Sequence, residues 1–165
     1  MRVPIRKPGK YTHLKPDPNL TEGKFNELKK KLERLKADQP DAIAEVRRLA
    51  EMGDFSENAA YQMAKGRLRG INDHIFKLQE QLQRAKIIKS TRYYDGVQLG
   101  CQVTIEISGQ RKTYLILGSA ETDPNKGVIS HNSPIGAALM GKKVSDVVKI
   151  KLGNKEVECK IVKIE

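Results

Sequence analysis

The sequence predicts an α+β protein of two units: an antiparallel helical hairpin, then a small antiparallel sheet carrying one short helix. Three observations predict it. Two long stretches repeat apolar residues every three or four positions, a tight glycine-led turn separates them, and the second half of the chain changes to two-residue alternation.

Residues 1–18 precede the first periodic stretch and read as a basic, proline-bearing, flexible arm. The first helical arm runs from about Thr21 to Met52. Phe25, Leu28, Leu32 and Leu35 form its stripe, and Ile43, Val46, Leu49 and Ala50 resume it after Pro40. Proline at the first position of a new helical turn costs no hydrogen bond, so Gln39-Pro40-Asp41 predicts a kink or short interruption. The second arm runs from about Ser56 to Lys89, with Ala60, Ala64, Leu68, Ile71, Ile75, Leu78, Leu82 and Ala85 as its stripe. Such sustained spacing is that of a coiled-coil seam. At 1.5 Å per residue each arm is about 45–50 Å long. Near-equal arms joined by a few residues fold back on each other, so residues 19–89 form a hairpin with its tip at 53–58.

That tip carries the candidate chemistry. Gly53 can take the positive φ that ends a helix, and Asp54 or Ser56 can cap the next one. Ser56 and Asn58 also hold the turn. Asp54 and Glu57 are three residues apart, so on a capped turn entering a helix their oxygens can converge. Two readings stand at this point. The pair is an N-cap and a first-turn acid that favours the helix dipole, or it shares a divalent cation such as Mg²⁺, which takes one or two carboxylates with water and phosphate. A narrow tip cannot enclose a substrate or exclude water. Catalysis there requires another protein to supply the pocket and the remaining ligands.

The second half builds a sheet. Val103, Ile105 and Ile107 alternate with polar residues, Gly109 punctuates, and Tyr114 to Leu117 follows as a strand. Val147 to Leu152 and Val157 to Ile164 flank Gly153-Asn154 as a hairpin. Between these pairs Ser133 can cap a short helix, Pro134 suits its first position and Gly141 ends it. Residues 95–165 thus form the second domain.

Composition narrows the classes. The chain has 165 residues and a formal net charge of +11, spread over all its segments. This suits work near nucleic acid better than wrapping it along one basic stripe, and an ordinary basic surface is the alternative. Cys101 and Cys159 lack metal-ligand spacing, and nothing marks the chain for a disulfide-forming compartment. His13, His74 and His131 match no zinc or triad pattern. No apolar run reaches membrane-spanning length, so the expectation is a cytoplasmic protein without a membrane partner.

The run Gly53-Asp54-Phe55-Ser56-Glu57-Asn58-Ala59-Ala60-Tyr61 resembles the Gly-Asp-x-Ser-Glu-Asn-Ala-x-Tyr motif of the bacterial Gre transcript cleavage factors. A distant second run, Ile129-Ser130-His131-Asn132-Ser133-Pro134-Ile135 with Ala138-Leu139-Met140-Gly141-Lys142 and Asp146-Val147-Val148, resembles the family's carboxy-terminal signature. Leu20-Thr21-Glu22-Gly23 fits the start of its first helix. The resemblance covers about residues 19–165. Phe55 stands at a variable tip position, and Ala60 where family members often carry an acid.

The resemblance implies a coiled coil that enters the secondary channel of bacterial RNA polymerase and an FKBP-like domain that docks outside it. It implies that Asp54 and Glu57 are donated to the polymerase active site, where they help hold a second Mg²⁺ and orient water for hydrolysis of the extruded nascent RNA 3′ end. Gly53, Ser56 and Asn58 would shape the tip, and Asn132, Ser133 and Pro134 would dock on the polymerase. Lys65, Arg67 and Arg69 would meet RNA phosphates or form an ordinary solvated face. The expectation is a monomer that binds no metal by itself and is not an enzyme. Gly66 to Arg69 leans towards the GreB type, while the carboxy-terminal loop fits GreA equally well.

The alternative is a channel-binding regulator or inhibitor without cleavage activity, against which Asp54 and Glu57 argue. A free-standing nuclease lacks a pocket. A prolyl isomerase lacks aromatic lining, because Tyr114 is the only aromatic after Tyr94.

Overall fold

The computed structural model describes residues 17–53, 58–89, 95–107, 109–152 and 155–165. Helix α1 (Glu22–Glu51) and helix α2 (Ala59–Arg84) pack against each other as the hairpin. A short strand β1 (Asn19–Leu20) precedes α1, and β2 (Lys86–Ile87) follows α2. The second unit contains β3 (Gln102–Ile107), β4 (Gln110–Leu117), β5 (Val128–Ser130), helix α3 (Pro134–Leu139), β6 (Val147–Leu152) and β7 (Lys155–Ile164). Two 3₁₀ turns, Ser119–Glu121 and Pro124–Lys126, lie between β4 and β5.

Of the kink or short interruption expected at Gln39-Pro40-Asp41, the interruption does not occur: α1 passes through Pro40 as one helix. The reason is phase. Leu28, Leu32, Leu35, Gln39, Ala42, Val46 and Leu49 step by 4, 3, 4, 3, 4 and 3, so the seam never shifts. Ala42 is 4% exposed, whereas Ile43, where the stripe was expected to resume, is 49% exposed. Gln39 keeps its seam position by donating from Nε2 to Asn72 Oδ1 of α2 at 2.7 Å. Proline inside a helix costs about 3 kcal/mol. Packing on both sides of Pro40 outweighs that cost, each well-buried aliphatic side chain contributing about 1.5–3 kcal/mol.

Helix α2 is shorter than expected at both ends. It begins after Asn58, whose Oδ1 accepts from the Tyr61 backbone N–H at 3.1 Å. It ends at Arg84 rather than near Lys89, because Ala85 turns to extended backbone (φ −61°, ψ 133°) and β2 pairs in parallel with β1. The Lys86 N–H donates to the Pro18 carbonyl (2.7 Å) and the Ile88 N–H to the Leu20 carbonyl (2.8 Å). Leu20, fully buried, packs on Leu28 and Leu78 and closes the root of the hairpin.

The sheet runs in the order β5-β4-β3-β7-β6. It departs from the expected all-antiparallel arrangement at one edge, where β5 lies parallel to β4. The two 3₁₀ turns carry the chain back far enough for that return, which a tight hairpin cannot do. Strand β4 also starts earlier than expected and pairs fully with β3, Ile107 lying opposite Gln110. Val103, Ile105, Ile116, Ile150 and Ile161 fill the core under α3, whose Leu139 is fully buried. Cys101 and Cys159 are free thiols in the same core, and burial pushes both thiols up from their usual value. Among the described residues no helix is long and apolar enough to cross a membrane.

Candidate functional site

At the tip, Gly53 has φ 76° and its N–H donates to the Ala50 carbonyl, as expected of a helix-ending glycine. Asp54, Phe55, Ser56 and Glu57 lie outside the described residues. Their immediate frame is nonetheless informative: the cap of α2 is Asn58, so the capping expected of Asp54 or Ser56 belongs to Asn58 instead. The first turn of α2 contains no acid, and the dipole reading of Glu57 lies outside the described residues.

Beside the tip, Met52 and Met63 are 69% and 76% exposed, and Met63, Leu49 and Ala60 line a shallow groove with Arg48 and Arg67. Of the expected phosphate-contacting residues, Arg67 Nη1 lies 3.6 Å from Glu45 Oε2, and Lys65 Nζ sits 5.9 Å from the centre of the Tyr61 ring. Arg69 is exposed. An exposed pair such as Arg67–Glu45 holds little energy and can exchange for a phosphate contact.

The loop Asn132-Ser133-Pro134 is built at the other end of the hairpin. The Ser133 Oγ accepts from the Gly136 N–H at 3.0 Å, Pro134 opens α3, and Asn132 and Pro134 are exposed. Gly136 lets the first turn of α3 lie against the preceding strand, since a Cβ there would stand 2.1 Å from the Ser130 carbonyl oxygen. The Asn132 N–H donates to Ser130 Oγ (3.1 Å), and Ser130 Oγ lies 2.9 Å from Ser119 Oγ. Tip and loop are therefore apart by roughly the length of α1, on the order of 45 Å.

What the sequence did not reveal is how the two units are joined. Thr21 Oγ1 caps α1 by accepting from the Lys24 N–H (3.2 Å), while the Glu121 carboxylate accepts from the Thr21 N–H (2.8 Å) and hydroxyl (2.5 Å). Asp17 Oδ2 accepts from the Ser119 N–H at 2.8 Å, and its Oδ1 from the Asn19 N–H and amide. His131 Nδ1 lies 3.4 Å from Asp17 Oδ2. Burial pushes the Asp17 carboxyl up. The hydrogen bonds from Ser119 and Asn19 and the charge of His131 together outweigh it, holding the group below its usual value. Gly118 permits this approach, since a Cβ there would stand 2.0 Å from the Asn19 carbonyl oxygen. The only local signal was Gly118 itself, too common a residue to read alone.

The two halves of this architecture match two parts of one family. Residues 19–87 match the model described as transcription elongation factor, N-terminal, and residues 91–165 that of transcription elongation factor, GreA/GreB, C-term. The chain belongs to the GreA/GreB family of transcription elongation factors. The GreA of Macrococcus caseolyticus is 39% identical over 149 residues, covering 88% of this chain and 94% of that protein. The GreA of Staphylococcus saprophyticus is 39% identical over 150 residues, with 88% and 95% covered. Among solved structures, GreA factor homolog 1 of Thermus thermophilus is 28% identical, covers 89% of this chain and 97% of its own, and superposes with a TM-score of 0.41. The GreA/GreB match begins at residue 19, so Asp17 stands just ahead of it.

Proposed function

We propose that this elongation factor acts through bacterial RNA polymerase. Its hairpin enters the secondary channel and stimulates the polymerase's own endonucleolytic cleavage of backtracked nascent RNA, releasing arrested complexes. One observation carries the reading: Asn58 caps α2, and the family's acidic pair, Asp54 and Glu57, falls in the sequence between Gly53 and that cap. A hairpin on the order of 45 Å long separates Gly53 and Asn58 at its tip from the Asn132–Pro134 loop.

Asp54 and Glu57 would offer carboxylate oxygens to a Mg²⁺ shared with the polymerase, a donor type that suits this hard cation. The ion when bound supplies Lewis-acid stabilisation of the phosphodiester. The carboxylates accept from and orient the attacking water. Lys65, Arg67 and Arg69 meet the extruded RNA phosphates, and Asn132, Ser133 and Pro134 dock on the polymerase surface. The protein contributes groups to the polymerase's site and is not itself the enzyme.

The test is a stalled, backtracked elongation complex incubated with Mg²⁺ and the protein, then with Asp54→Ala and Glu57→Ala. Cleavage near the RNA 3′ end is expected with the unaltered protein and is lost in either variant, while both variants still bind polymerase. Cleavage of RNA by the protein alone, or full activity in the doubly substituted protein, overturns the proposal.

A further inference from the structure

We propose that Asp17, just outside the family-matched region, is a positioning residue that clips the root of the hairpin to the sheet domain. It thereby fixes the tip relative to the Asn132–Pro134 loop. Its side chain is only 5% exposed although it lies at the start of the described chain. Burying a carboxylate is costly unless its oxygens are satisfied. Here they are satisfied from both units: Asn19 from the hairpin root, and the Ser119 N–H and hydroxyl with His131 from the sheet domain. Ser119 Oγ continues to Ser130 Oγ, and Ser130 Oγ to the Asn132 N–H. A single chain of hydrogen bonds thus runs from the hairpin root to the docking loop.

The two units otherwise have separate cores, one of Leu20, Leu28 and Leu78 with its neighbours and one of the sheet's aliphatic residues under α3. Their relative orientation is therefore set at the root, by these polar contacts beside the close packing of Ile88 on Gly100, and a small angular error there is multiplied along the hairpin. The functional consequence rests on the reading proposed above: a tip held in register with a docked loop reaches the active site at high effective concentration, and a loosened one does not.

The experiment uses the full chain with spin labels at Gln79→Cys on α2 and Lys112→Cys on β4, both exposed positions, the native thiols being buried. The labelled parent should give one narrow distance distribution, and Asp17→Ala a broad one. Ser119→Pro removes the donor N–H at the first position of a 3₁₀ turn, where the preceding Gly118 is already extended. It should broaden the distribution too, and the two substitutions together should broaden it by less than the sum of the single changes, since both remove the Asp17–Ser119 contact while Asp17→Ala alone also removes that with His131. In the cleavage assay Asp17→Ala should lower the saturating rate by about tenfold or more while the half-maximal concentration changes little. An unchanged distribution in Asp17→Ala overturns the clip, and so does additive broadening. A broadened distribution with an unchanged saturating rate overturns its role in positioning. Absence of cleavage by the parent protein counts against the proposed function, while the distance measurement still decides the clip.

Discussion

The carboxylate of Glu121 accepts from both the backbone N–H and the hydroxyl of Thr21, the residue that caps α1. One side chain of the sheet domain thereby holds the N-cap of the hairpin's first helix, and the Thr21 hydroxyl donates to Glu121 while accepting from the Lys24 N–H.

Glu121→Ala should therefore destabilise the root rather than either core. Hydrogen bonds to a charged group are worth about 1.5–3 kcal/mol, and partial exposure places this loss near the lower end. Glu121→Gln should recover part of it by keeping one acceptor oxygen. Urea denaturation followed by helical circular dichroism measures the difference, and equal stability of all three proteins would contradict the contact.

The Asp17 contact should depend on pH in one direction. Its folded carboxyl is held below the ordinary value of 3.8. Its contribution is thus fully present above that value and is lost as pH falls through the lower folded one. Interdomain distances should be constant from neutral pH down to the ordinary carboxyl range and broaden below it. Asp17→Asn should lack this component of the transition. A parent protein and an Asp17→Asn protein with the same acid profile would refute the assignment.

Asn58→Ala should cost about 1 kcal/mol, as loss of an N-cap usually does, whereas Asn58→Asp should cost little because it keeps the acceptor and suits the helix dipole. Faster amide exchange at Tyr61, whose N–H the cap accepts, is the direct readout. On the function proposed above, polymerase binding should survive in both, since the Asn132–Pro134 loop lies at the opposite end.

Gly118→Ala places a Cβ where the Asn19 carbonyl oxygen stands 2.0 Å away. Backbone on both sides must shift, a cost of about 1–3 kcal/mol. Amide exchange at Thr21 and Ser119 should accelerate by one to two orders of magnitude. Exchange within β3 and β7 should stay slow, because their core is untouched. Uniform acceleration throughout the sheet would show that the glycine serves the domain's own packing.

The elements themselves were legible because each is specified by neighbours in sequence. The α2 seam at Ala64, Leu68, Ile71, Ile75 and Leu78 is a periodicity, and Ser133-Pro134 at the start of α3 is a local hydrogen-bonding and φ constraint. Errors arose where a local rule met a longer-range one. Pro40 was expected to kink or interrupt α1, and it does not interrupt it, because Gln39 and Ala42 keep the seam in phase and tertiary packing carries the helix through. Asn58 was expected only to hold the turn, yet it caps α2.

By itself the sequence determined a hairpin, a small sheet with one helix, and an acidic pair between two helical arms, since side-chain spacing and turn chemistry are local properties. Only the tertiary structure decided how those parts are held together. The parallel pairing of β1 with β2 and of β4 with β5 joins backbone groups that every residue possesses, so no side-chain pattern announces it. The Thr21–Glu121 and Asp17–Ser119 contacts join residues 100 and 102 positions apart. Their energy exists only once the folded units bring a carboxylate to a donor in a place where water does not compete fully.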